Sequence, residues 1–161
     1  MRIGVVSDTH NNLRNVSRIV ELLNGAGIQR VVHTGDITRA PTLERLAGLD
    51  APLVGVYGNN DQERDALERS SHALDIRLED PPLELDWAGR RILVVHDPAD
   101  LEPALAADHQ VALHGHTHRF THEWRQGTLV FNPGECAGML AGHNTVGVLD
   151  LEDLQVELLR F

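Results

Sequence analysis

The chain contains no lysine: all 14 basic residues are arginine, set against 24 acidic residues, for a formal net charge of −10. A surface of that sign repels phosphate backbones at long range, which disfavours duplex nucleic acid as a partner. A single cysteine, Cys136, excludes an intramolecular disulfide and fits a reducing cytoplasm, the expected location. No apolar run approaches the ~18 residues of a membrane span. The opening Met1-Arg2-Ile3 leads straight into a strand pattern, leaving no room for a signal peptide. Repeats, low-complexity tracts and linkers are also missing. A chain of 161 residues is enough for one core, so 1–161 reads as a single domain.

Histidine, by contrast, is plentiful, with ten in the chain. Several stand where apolar runs stop. Ile3 to Val6 delivers Asp8-Thr9-His10, and Val31-Val32-His33 runs through Thr34-Gly35 to Asp36. Leu53 to Tyr57 ends in Gly58-Asn59-Asn60-Asp61, Ile92 to Val95 in His96, and Val111 to Leu113 in His114-Gly115-His116-Thr117-His118. Open α/β sheets place their sites beyond the carboxyl ends of strands, so five such ends can meet at one spot.

The remaining pattern supports that architecture. Asn11 or Asn12 caps a helix whose Leu13, Val16, Ile19, Val20 and Leu23 form one stripe, ended by Gly25 and Gly27. Pro41 opens a short helix to Leu46, and Gln62 to Arg69 forms a polar one. This βαβαβ order implies a parallel sheet with right-handed crossovers, while Ser70 to Pro81 fits no element clearly. The second half is richer in hairpins. Leu83 to Trp87 returns through Ala88-Gly89 into Arg91 to Val95, and Pro103 to Ala107 reads as helix. Arg119 to Trp124 and Thr128 to Asn132 flank Gln126-Gly127, and Thr145 to Leu151 pairs with Leu154 to Leu159. The expected fold is α/β: a four-layer αββα sandwich, two mixed β-sheets packed together with helices outside.

Carboxylate oxygen combined with imidazole nitrogen suits Mn, Fe, Zn, Ni or Co better than Ca or Mg. Each motif alone has an ordinary reading. Asp-x-His is more often a strand end or helix cap, and Gly-Asp or Gly-Asn-Asn-Asp a turn. Two histidines around one residue at a strand end have few structural uses, and all five motifs in strand order have fewer still. His33 and His114 read as packed or hydrogen-bonded strand residues, and His72, His109, His122 and His143 as surface or loop positions. Cys136 has no visible base and reads as structural.

In this order the motifs resemble those of the calcineurin-like metallophosphoesterases: Asp-x-His, Gly-Asp, Gly-Asn-x-Asp, a strand-end His and Gly-His-x-His. The likeness extends to Asn132-Pro133-Gly134-Glu135, a feature of the small single-domain bacterial and archaeal phosphodiesterases. The resemblance implies two divalent transition-metal ions per chain, manganese first among them. One is assigned to Asp8, His10, Asp36 and His118, the other to Asp36, Asn59, His96 and His116, with Asp36 bridging. It implies hydrolysis of phosphodiester bonds in a small phosphate ester by a metal-bridging hydroxide.

Two departures qualify it. Asn60, grouped with Asp61 as a catalytic position, stands where many members carry a histidine that protonates the leaving oxygen. An amide donates no proton at neutral pH, so substrates with good leaving groups should be favoured. After His96 the chain reads Asp97-Pro98 where the small branch often has Gly-His, so the metal position is kept and the pocket wall altered. The alternative is a non-catalytic, metal-binding interaction scaffold of the same fold, as in a eukaryotic membrane-coat complex. All seven ligand positions carry liganding side chains, which favours the enzyme. A nuclease of the same superfamily is disfavoured by charge and by the lack of a capping domain. Relatives of this size also often form homo-oligomers.

Overall fold

Alternation along the strands decides the layering. In the computed structural model, which describes residues 1–140 and 142–161, β1 (Arg2–Val6) sends Ile3 and Val5 to one face and Val6 to the other. Against the Val6 face lies α1 (Leu13–Gly25), capped by the Asn12 side chain, with Val16, Ile19 and Leu23 buried. β2 (Arg30–His33) pairs with β1 in parallel and divides likewise, Val31 toward the helices and Val32 away from them.

After α2 (Ala40–Leu46) the chain adds β3 (Leu53–Val56), and after α3 (Arg64–Ala73) it adds β4 (Arg77–Glu79), both parallel to their neighbours. The hairpin β5 (Leu83–Trp87) and β6 (Arg90–Val94) opens a second sheet. A 3-10 turn at Pro98–Asp100 and α4 (Leu101–Ala104) lead to β7 (Val111–Leu113), then β8 (Thr121–Arg125) and β9 (Thr128–Asn132). The chain then rejoins the first sheet as β10 (Thr145–Asp150) and β11 (Val156–Arg160). The orders are β11-β10-β1-β2-β3-β4 and β5-β6-β7-β9-β8, and both sheets mix parallel and antiparallel pairs.

Between the sheets, Ile3, Val5, Val32 and Val56 meet Leu85, Ile92, Val94 and Phe131. Each such buried side chain contributes about 1.5–3 kcal/mol. Beyond the second sheet, Leu93, Val95 and Val130 pack under Leu101 of α4. The αββα layering therefore holds, but the outer layer on that side is barely one helical turn. No helix of the described residues is long and apolar enough to cross a membrane.

Several boundaries differ from the pattern read in the sequence, three of them by more than a shifted end. The helix expected over Pro103 to Ala107 ends at Ala104, because Leu105 turns extended (ψ 119°). Ser70 to Pro81 resolves into the end of α3 and the edge strand β4. The strand expected from Arg119 begins at Thr121, which leaves Arg119 and Phe120 in the loop after His118.

Candidate metal centre

The five strand ends are stitched to one another by their backbones. The Asp8 N–H donates to the Gly35 carbonyl (3.1 Å), His10 N–H to the Asp36 carbonyl (3.0 Å) and Gly115 N–H to the His96 carbonyl (3.0 Å). Across the two sheets, His116 N–H donates to the Asp8 carboxylate at 3.0 Å. The third loop is held by Asp61, whose Oδ2 accepts from Gly58 N–H (2.6 Å) and Asp36 N–H (3.1 Å) while Oδ1 accepts from Thr38 N–H.

These loops are tight and strained. Asp8, His10, Asp36, His116 and His118 have φ of 50°, 44°, 59°, 66° and 56°, in the left-handed region. Such residues cost about 1–3 kcal/mol each and concentrate where side chains must be aimed. A Cβ on Gly58 would overlap Asp36 Oδ1, and one on Gly115 would overlap Ser7 Oγ. Glycine lets the backbone come this close.

The side chains gather in two clusters. In the first, His10 Nε2 is buried without a hydrogen-bond partner, 3.3 Å from Asp36 Oδ2 and 4.0 Å from Asp8 Oδ1 but not aligned to bond either. His118 Nε2 lies 3.6 Å from Asp8 Oδ1. In the second, His96 Nδ1 is 2.8 Å from the Thr34 carbonyl, which can only accept, so Nδ1 carries a proton and, in the neutral ring that a metal ligand requires, Nε2 the lone pair. That lone pair faces Asn59 Oδ1 at 2.9 Å and Asp36 Oδ1 at 3.4 Å, and Asn59 Oδ1 also faces His116 Nδ1 at 3.0 Å.

Ring nitrogens and oxygens turned toward one another in this way are stabilised by a positive charge among them, a proton on an imidazole or a metal ion. Separations near 3.0–3.4 Å are those of ligands held about 2.1 Å from one ion. Asp8 agrees: burial raises its carboxyl pKa despite a hydrogen bond from the Ser7 hydroxyl, and a cation beside it would favour the ionised form. Burial also opposes ionisation of Asp36, yet contacts from His10, His96 and Asn60 outweigh it and hold Asp36 below the usual carboxylate range. Ligand atoms of Asp8, His10 and His118 lie within 4.8 Å of one another, as do those of Asp8, Asp36 and His96. The donor set fits divalent transition metals.

Asn60 is at the centre but occupied. Its N–H donates to Asp36 Oδ1 (2.9 Å) and its side-chain amide to Asp36 Oδ2 (2.8 Å). Asp61 places no atom in either cluster, because both its oxygens serve backbone amides. We read both as positioning residues.

Three supporting residues have no role at the site in the sequence reading, although His33 is expected there to be packed or hydrogen-bonded and is both. Glu135 is buried, with Oε2 at 3.4 Å from His118 Nδ1 and Oε1 accepting from Leu140 N–H at 2.7 Å. Asn132 donates to the Gly115 carbonyl (3.1 Å) and Thr117 Oγ1 (3.2 Å), fixing the loop that carries both histidines. His33 Nδ1 accepts from Gly35 N–H (3.2 Å), so its Nε2–H donates to Thr9 Oγ1 (3.1 Å), and that hydroxyl reaches the Asp36 carbonyl (3.4 Å). Complete burial lowers the His33 pKa to about 3 and keeps the ring neutral. The acidic residue after Asn-Pro-Gly was the one visible hint of Glu135.

His72, His122 and His143 are exposed, as expected, and His114 is buried beside the Gly115 carbonyl. His109 is a loop residue, one of the two places expected for it, but a buried one, with Nδ1 accepting from Ala106 N–H at 2.8 Å to close the turn before β7. Cys136 is fully buried and its thiol is pushed up to about 12 by that burial, which agrees with a structural role.

Residues 1–154 match the model of the calcineurin-like phosphoesterase superfamily domain. Phosphodiesterase MJ0936 of Methanocaldococcus jannaschii is 35% identical over 156 residues, covering 94% of this chain and 94% of that protein. Phosphodiesterase YfcE of Escherichia coli is 28% identical over 174 residues, covering 97% and 91%. The solved structure of an archaeal phosphodiesterase superimposes over 100% of both chains with a TM-score of 0.92 and 31% identity. The family's divalent ions suit the carboxylate and imidazole groups gathered here, and the chain belongs to the calcineurin-like phosphoesterase superfamily as a metal-dependent phosphoesterase.

Proposed function

We propose that the chain hydrolyses phosphodiester bonds with two divalent metal ions, manganese first among them, within one domain spanning 1–161. Asp8, His10, Asp36 and His118 would hold one ion, and Asp36, Asn59, His96 and His116 the other. The observation that carries this reading is the division of Asp36, whose Oδ2 faces His10 while Oδ1 faces His96. Bound there, the pair supplies a water of lowered pKa and positive charge for the phosphoryl oxygens.

The protein's own part is positioning. The two hydrogen bonds from Asn60 fix the plane of the Asp36 carboxylate, so that each oxygen keeps its direction. His96 is held by the Thr34 carbonyl, and His118 by Glu135. With an amide committed to Asp36 at position 60, no proton donor stands there for the leaving oxygen. Aryl diesters should therefore react far ahead of alkyl ones. No observation favours the non-catalytic scaffold, since none of the seven ligand positions carries an inert side chain.

The test is chelation followed by add-back of Mn, with bis(4-nitrophenyl) phosphate and 4-nitrophenyl phosphate as substrates. Hydrolysis should vanish, return with the metal and favour the diester. Metal-independent hydrolysis, or a clear preference for the monoester, would overturn the proposal.

A further inference from the structure

The metal centre is flanked by two clefts of opposite character. On the His10 side a cleft of about 430 Å³ is lined by polar groups, among them Asn11, Thr38, Asn60 and Gln62. On the His118 side a cleft of about 490 Å³ is walled by Phe120, Leu140 and Leu158, with Arg119 and Arg160 beside them. Its volume is in the range of a small-molecule site.

The aromatic wall is exposed yet fixed. Phe120 is 49% exposed, and its ring stands edge-on to the buried Phe131 at 6.3 Å and 78°. Phe131 in turn rests where a Cβ on Gly147 would be, so the ring below Phe120 is locked into the core. Leu140 is 56% exposed on the facing loop, and that loop is tied to the floor of the cleft by its N–H bond to Glu135. Apolar groups facing each other across a gap beside a reaction centre are suited to a flat apolar group of the ligand.

The arginines specify its charge. Seven of the 14 arginines form ion pairs, and Arg30, Arg45 and Arg90 rest on Trp87, Ser17 and backbone carbonyls. Of the four arginines with no ion-pair or side-chain partner among the described residues, Arg14, Arg69, Arg119 and Arg160, the last two line this cleft, in a chain of net charge −10. Unpaired guanidinium groups on one wall of a cleft suit a phosphate.

Building on the phosphodiesterase reading, we propose that this cleft binds a nucleotide arm of the substrate. The base lies against Phe120, Leu140 and Leu158, and a further phosphate of that arm reaches Arg119 and Arg160. The substrate class is then a small nucleotide-containing diester in which one arm carries a second anionic group. The opposite, polar cleft takes the other substituent.

Calorimetry on the Mn-loaded protein with three probes separates the parts: inorganic phosphate, thymidine 5′-phosphate and thymidine 3′,5′-bisphosphate. Affinity should rise about tenfold or more at each step, as base stacking and charge-assisted contacts provide. Phe120→Ala should erase the step from phosphate to thymidine 5′-phosphate, and Phe120→Tyr should retain it. Arg119→Gln combined with Arg160→Gln should erase only the step to the bisphosphate. Equal affinity for phosphate and thymidine 5′-phosphate would overturn the proposal, as would a base step that survives Phe120→Ala. Failure to hydrolyse bis(4-nitrophenyl) phosphate would instead count against the phosphodiesterase reading, which this titration does not measure.

Discussion

Glu135→Gln exchanges one oxygen for an amide nitrogen in a side chain that is 1% exposed. As a carboxylate, Glu135 accepts on both sides, from Leu140 N–H at 2.7 Å and toward His118 Nδ1 at 3.4 Å. The proton is thereby kept on Nδ1, and the Nε2 lone pair points toward Asp8. Glutamine offers one acceptor and one donor. If its oxygen keeps Leu140 N–H, its NH₂ faces Nδ1 and favours the tautomer with a proton on Nε2, where a ligand lone pair is needed. If it flips, two donors meet at Leu140. Losing such a partner lowers metal affinity 10–100-fold, about 1.4–2.7 kcal/mol. The assay is Mn competition against a fluorescent chelator, with ¹⁵N spectra of His118 to read its tautomer. Unchanged affinity and an unchanged tautomer would refute the reasoning, as would equal weakening of both ions.

Two other results are expected. A plot of log kcat/KM against leaving-group pKa should be steep for the unmodified protein; a shallow slope would mean that a residue other than Asn60 supplies the proton. His33 is neutral when folded, with a pKa of about 3, but takes up a proton below its ordinary 6.5 when unfolded, so its contribution makes stability fall as pH drops from about 6.5 toward 3. His33→Gln should flatten that limb of the denaturant-measured curve, by up to about 1.4 kcal/mol per pH unit; an unchanged slope would show that His33 is not buried neutral.

The proposed ligand residues were legible as candidates in the sequence because each stands where an apolar run stops, and strand order alone brings those ends to one rim. β1, β2 and β6 were legible for the same reason, since each is an apolar run buried without a break on both faces. β4 was not, because three residues on an open edge, two of them charged, carry no period. The direction of side chains in the loops was equally hidden. Asn60 sits one residue from Asn59, yet the turn after β3, closed by the Asp61 N–H to the Gly58 carbonyl (3.2 Å), aims its amide back at Asp36. Glu135 is 17 residues from His118 in the chain, and only the packing of the β9–β10 connection against the β7–β8 loop makes them neighbours.

The account rests on one carboxylate shared by two ions, and electron paramagnetic resonance of the Mn-loaded protein measures that sharing. Elemental analysis should find about two Mn per chain, and the spectrum should be that of an exchange-coupled pair, as expected of ions in a two-metal site joined by a common ligand. Asp36→Asn should weaken both ions and abolish the coupling, whereas His118→Ala should mainly release one. One Mn per chain, or two giving independent six-line signals in the unmodified protein, would contradict the shared Asp36.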